Sequence, residues 1–125
     1  MTLQEMFDTA TRGIISQGGK SADDYGECLY RGPDGRKCAV GWLISDFVAE
    51  EHEGEGAHYI QTKRPNLFSS RGWDLLGELQ HAHDTSGVDD FGPGRVWSQR
   101  VRRVASRFGL SAAVLDEWES EVARG

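Results

Sequence analysis

The chain has 125 residues, 20 acidic against 14 basic, and a formal net charge of −6. That length supports one domain over 1–125 with a modest core, and the acidic balance disfavours general nucleic-acid binding while suiting a basic protein partner. With a mean hydropathy of −0.55, no apolar run reaches a membrane span. The first residues lack the basic-then-apolar order of a signal peptide, so a cytoplasmic protein with reduced thiols is expected.

Thr2-x-x-Glu5 reads as a capping box, and Leu3, Met6, Phe7, Ala10 and Ile14 follow at helical spacing. Gly18-Gly19 ends that helix, and Lys20 to Gly26 reads as a polar loop. Next comes the densest part of the chain, Cys28 to Ile44, which holds both cysteines. Gly32-Pro33-Asp34-Gly35 fits a type I turn followed by a left-handed glycine, the loop of a bulged hairpin. Pairing outward sets Arg31 against Lys37, Tyr30 against Cys38, Leu29 against Ala39 and Cys28 against Val40. This predicts a β-hairpin with two largely apolar faces, covered by helices.

C-x-Y-R-G-P-D-G-x-K-C-A-V-G over this stretch, with Leu79-Gln80-x-x-His83-Asp84 further on, resembles a group of small uncharacterised phage and prophage proteins. An ending with a Trp-containing helix, an Ala-x-x-x-Gly-Leu-Ser turn and a last helix is similar to that group too. The resemblance implies a phage accessory context and no particular chemistry. Trp42 stands where many members would carry a third cysteine, which tells against a metal site built on three thiols.

Beyond the hairpin, Ser45 is placed to cap a short helix from Asp46 to about His52, with Phe47 and Val48 inward. Glu53 to Asn66 reads as a polar, Gly-rich loop in which Tyr59-Ile60 is a short strand or an anchor. Ser69 caps the next helix, stapled by Phe68 and Trp73, with Leu75, Leu76, Leu79 and Ala82 on its buried side. Thr85 to Arg95 reads as a loop. Trp97, Val101, Val104, Ala105 and Phe108 then recur at three and four residues with arginines opposite. Gly109 breaks, Ser111 caps, and Val114, Leu115, Trp118 and Val122 form a final helix. The expected fold is α+β: a mostly helical domain of about five helices around one β-hairpin. Trp73, Trp97, Trp118, Phe7, Leu79 and Val101 form its core, joined by Trp42.

Three constellations bear on chemistry. The last two helices have helix-turn-helix spacing, but the positions that would meet base edges are Ser111, Ala112, Ala113, Asp116 and Glu117. Carboxylates there repel a polyanion. Cys38 is a possible nucleophile supported by His83 and Asp84, although adjacency on a helix end sends those two side chains to different sides. A metal site from Cys28, Cys38, His81, His83 and His52 or His58 lacks the short cysteine spacing of zinc sites. No metal, no cofactor and no Gly-rich phosphate motif is expected, and Asp23-Asp24 read as solvated turn residues.

The remaining signal is acidic. Glu50, Glu51, Glu53 and Glu55 cluster in one short stretch, and with Asp89 and Asp90 they are the predicted partner-binding residues. The function expected is a non-enzymatic phage or prophage accessory protein binding a host protein. Its sharpest form is a defence inhibitor, directed for example at a CRISPR effector complex, whose acidic face imitates nucleic acid. The alternatives are a DNA-binding regulator using the C-terminal helix pair and a thiol enzyme using Cys38.

Overall fold

A computed structural model describes residues 1–21 and 29–125. Among these residues six α-helices follow in chain order: α1 (Leu3–Gln17), α2 (Asp46–His52), α3 (Ala57–Lys63), α4 (Ser70–Asp84), α5 (Val96–Phe108) and α6 (Ala113–Arg124). Single 3₁₀ turns lie at Pro33–Gly35, Val40–Trp42 and Val88–Asp90. No helix among the described residues is long and apolar enough to cross a membrane.

The caps expected at Thr2, Ser45 and Ser69 form where the sequence places them. Thr2 and Glu5 exchange hydrogen bonds at 2.8 and 3.1 Å, Ser45 accepts from the Val48 amide and Ser69 from the Gly72 amide. α4 packs against α1 and α5, and α1 also packs against α6. Between them Phe7, Ile14, Leu75, Leu76, Trp97, Val101 and Leu115 are fully enclosed. Trp73 and Leu79 are buried as expected, while Trp42 and Trp118 are half-buried against the core. Trp118 meets Trp97 edge-on, with centroids 6.1 Å apart.

The α+β expectation is corrected. The fold is all-helical, and no β-strand occurs among the described residues. Cys28, the pairing expected for it with Val40, and most of the Lys20–Gly26 loop with Asp23-Asp24 lie outside them. A turn does form, one residue later than expected: the Arg36 amide donates to the Pro33 carbonyl at 3.2 Å, with both Asp34 (φ 60°) and Gly35 (φ 74°) left-handed. That is the mirror-image turn favoured by Asp-Gly. Two bonds then cross the segment, Gly32 N–H to Arg36 at 2.7 Å and Cys38 N–H to Leu29 at 3.2 Å.

The ladder stops there because side chains take the other backbone groups. Tyr30 and Arg31 amides donate to the Glu53 carboxylate, the Lys37 amide to Gln17 and the Val40 amide to Gln80. Arg31 itself donates to the carbonyls of Tyr30, Gly41 and Ile44. Residues 29–44 are therefore a side-chain-braced excursion. Trp42 ends up on Gly13 of α1, where any Cβ would run into its indole.

Two further expectations change. Phe47 does not point inward. It is 69% exposed while Val48 and Ala49 fill the interior side of α2. The expected 53–66 loop contains α3, seated by the fully buried Ile60, so Tyr59-Ile60 is helical and Tyr59 is 56% exposed.

Candidate functional site

Residues 29–41 and 79–84 meet in space. Cys38 lies within the braced excursion, and Gln80, His83 and Asp84 end α4; Cys38, Gln80 and Asp84 line one cavity of about 440 Å³ with Tyr30, Glu53 and Glu55. Cys38 is only 1% exposed. Burial pushes its thiol up to about 12, against smaller opposing effects of hydrogen bonds from the Gly41 backbone and the Gln80 side chain. A nucleophilic cysteine needs the opposite displacement. The Tyr30 hydroxyl is also raised, first by burial and then by the neighbouring Cys38 and carboxylates, and it donates to the Glu55 carbonyl.

His83 and Asp84 do touch, contrary to the sequence argument: Nδ1 lies 3.0 Å from the carboxylate. The contact does not make a base. His83 Nε2 accepts the Ser21 amide at 3.2 Å, so the ring proton sits on Nδ1 and both nitrogens are engaged. The ring packs edge-on to Phe91. It pins the end of α4 to the chain leaving α1.

The histidines considered for a metal do not converge. His83 is buried toward Ser21, whereas His81 is exposed on the other side of α4. His52 is buried in α2 with its Nδ1 3.8 Å from the Glu55 carboxylate, and His58 stacks edge-on with Tyr59. Among the described residues no three His, Cys, Asp or Glu side chains gather as ligands. Cys28 lies outside those residues.

The acidic residues divide by what they touch. Glu53 accepts two backbone amides, at 2.9 and 3.0 Å, and braces residues 30–31. Glu51 pairs with Arg64. Glu50 is exposed and lines an open groove with Arg31, Asp46 and Glu53. Asp90 caps the Gly87 amide at 2.9 Å, and the Asp89 carbonyl accepts from Arg95. Asp89 borders a separate groove beside Ile14, Gly18 and Trp118. Glu50, Glu53 and Glu55 thus border other grooves than Asp89 does.

What the acidic pattern did not announce is its aromatic company. Phe47 and Tyr59 stand exposed on α2, which carries Glu50 and Glu51, and on α3, which follows Glu53 and Glu55. Arg64 joins the two helices, lying 5.5 Å from the Phe47 centroid while pairing with Glu51. For Phe47 a cue existed: α2 has only seven residues, too short to bury apolar groups on both faces.

At the C-terminal end, the N-cap position of α6 is Ala112 rather than the expected Ser111, although the Ser111 hydroxyl accepts the Ala113 amide at 3.1 Å. Arg102 of α5 reaches Asp116 and Glu119 of α6, both at 2.8 Å. Gln4 brackets Ser111 from α1 with two bonds, at 3.0 and 2.9 Å. The first turns of α6 thus carry carboxylates partly offset by an arginine from the preceding helix.

Compared with models of protein families, with curated proteins and with solved structures, the chain matches none.

Proposed function

We propose that this chain is a non-enzymatic accessory protein of phage or prophage origin that binds a host protein, in its sharpest form a component of a defence complex. Contact is made through the acidic and aromatic surface of α2, α3 and the segment joining them. The observation that carries this reading is the exposure of Phe47 and Tyr59 beside Glu50 and Glu55. Aromatic anchors ringed by charge are what protein interfaces concentrate, and the carboxylates steer a basic partner. Support comes also from the chemistry that is missing at the thiol: Cys38 is enclosed and held protonated, and His83 has no lone pair to spare.

Since Glu51 and Glu53 hold the protein's own structure, reversing all four glutamates would confuse binding with folding. The informative variants are Phe47→Ala and Glu50→Lys, singly and together. Affinity capture of the tagged chain from host lysate should recover a basic or nucleic-acid-binding complex at low salt, less of it at moderate salt, and little with the double variant. Capture that is indifferent to both the substitutions and the salt sinks the proposal.

A further inference from the structure

Helices α4 and α5 form a second groove, whose lining shares no residue with the acidic surface. Arg100, Arg103 and Arg107 recur at three and four residues along α5 and line an open groove of about 560 Å³ against α4. Gly77, Ala82 and Val104 lie between the helices, and His81, Thr85 and Glu78 face the arginines. A Cβ at Gly77 would meet nothing within 4 Å, so the groove is open there.

The charge in this groove runs against the charge of the molecule. With six more acidic than basic residues overall, Arg31, Arg64 and Arg102 are each paired with a carboxylate. Among the described residues that line the groove, Glu78 is the one carboxylate facing three guanidinium groups, and it pairs with Arg107. Arg100 donates to the Thr85 hydroxyl, and Arg103 has no ion pair or hydrogen bond among the described residues. Like charges gathered without counter-charges repel one another. An anion relieves that repulsion.

The geometry points to an oligophosphate ligand, a nucleoside triphosphate or a similar chain of linked phosphates, bound by Arg100, Arg103 and Arg107. Guanidinium forks each give two donors and match phosphate oxygens. At 1.5 Å per residue, Arg100 to Arg107 spans about 10 Å of helix, more than a single phosphate bridges but within reach of two or three in series. The volume also lies in the range of about 300–1,000 Å³ that accommodates small ligands. The short apolar floor at Ala82 and Val104 offers a surface for an uncharged part of the ligand. This site is independent of the protein-binding reading and stands or falls separately.

Calorimetric titration at low salt with ATP, tripolyphosphate, inorganic phosphate and adenosine tests it. ATP and tripolyphosphate should bind, inorganic phosphate at least tenfold more weakly, and adenosine not at all. Tighter binding of ATP than of tripolyphosphate assigns a nucleotide, and equal binding assigns the phosphate chain alone. Arg103→Gln, at an exposed position with no internal partner, should weaken ATP at least tenfold without changing the melting temperature. Glu78→Gln removes the internal competitor for Arg107 and should tighten it severalfold, an effect that a purely structural Glu78 would not produce. Absence of heat with both ATP and tripolyphosphate, or binding unmoved by Arg103→Gln, overturns the assignment.

Discussion

Cys38 shows how one atom's surroundings decide between two chemistries. Enclosed beneath Tyr30 and beside Gln80, its thiol meets almost no water, and desolvation outweighs the hydrogen bonds that favour a thiolate. The linkage follows from that direction. In the unfolded chain the thiol ionises near 9, whereas in the folded chain it ionises near 12, so the stability tied to the protonated form is complete below pH 9 and is lost as pH rises from there toward 12. By pH 10 the loss is on the order of 1 kcal/mol, and Tyr30, raised in the same sense, adds to it at higher pH. Urea unfolding at pH 7 and pH 10 should show this drop, and Cys38→Ala should remove most of the slope. Iodoacetamide, followed on the peptide containing Cys38, should react only after denaturant is added. Rapid alkylation of the folded protein at pH 8 would restore the thiol-enzyme reading.

At the level of elements, the helices were legible because their information is local. Thr2 with Glu5, Ser45 and Ser69 announce helix starts by their own side-chain bonds, and the three-and-four spacing of Trp97, Val101, Val104 and Ala105 needs no partner to be read. Residues 29–44 misled because their partners are remote in sequence. Gln17 looks like an ordinary last residue of α1, yet its amide oxygen accepts from the Lys37 amide at 2.7 Å and Trp42 Nε1 at 3.2 Å, and its nitrogen donates to the Gly19 and Lys37 carbonyls, both at 2.6 Å. No periodicity reports such a clasp. An alternating apolar pattern supplies strand residues, but a strand exists only when its amides find another strand. Gln17→Ala strips both backbone groups of Lys37 of their partners, at a cost of about 2–3 kcal/mol. The drop should appear in urea unfolding, with amide exchange accelerated at residues 37–42 and protection unchanged in α4. Uniform loss of protection throughout would mean that Gln17 holds α1 rather than the excursion. The candidate site was half visible for the same reason: Glu50 to Glu55 is a local signal, whereas the exposure of Phe47 depends on which face of α2 the rest of the chain covers.

For the molecule as a whole, the order of contacts makes α6 part of the core rather than an appendage. Val114 and Leu115 are buried, Trp118 leans on Trp97, Arg102 grips two carboxylates, and Gln4 ties the turn before α6 to the first turn of α1. A DNA-reading helix has to present its first turns outward, free to enter a groove. Here those turns display Asp116 beside Arg102. Ending the chain after Ser111 would uncover Trp97 and forfeit two buried aliphatic side chains, worth about 1.5–3 kcal/mol each. The sum is a large fraction of the roughly 5–15 kcal/mol that holds a domain of this size together. The shortened chain should unfold at much lower urea, and its tryptophan fluorescence and far-ultraviolet circular dichroism should no longer change together, whereas in the full chain the two should coincide. An unchanged midpoint would make α6 a detachable arm. In that event duplex DNA, titrated at several salt concentrations, becomes the next ligand to try, since a helix that contributes nothing to the core is free to be spent on recognition.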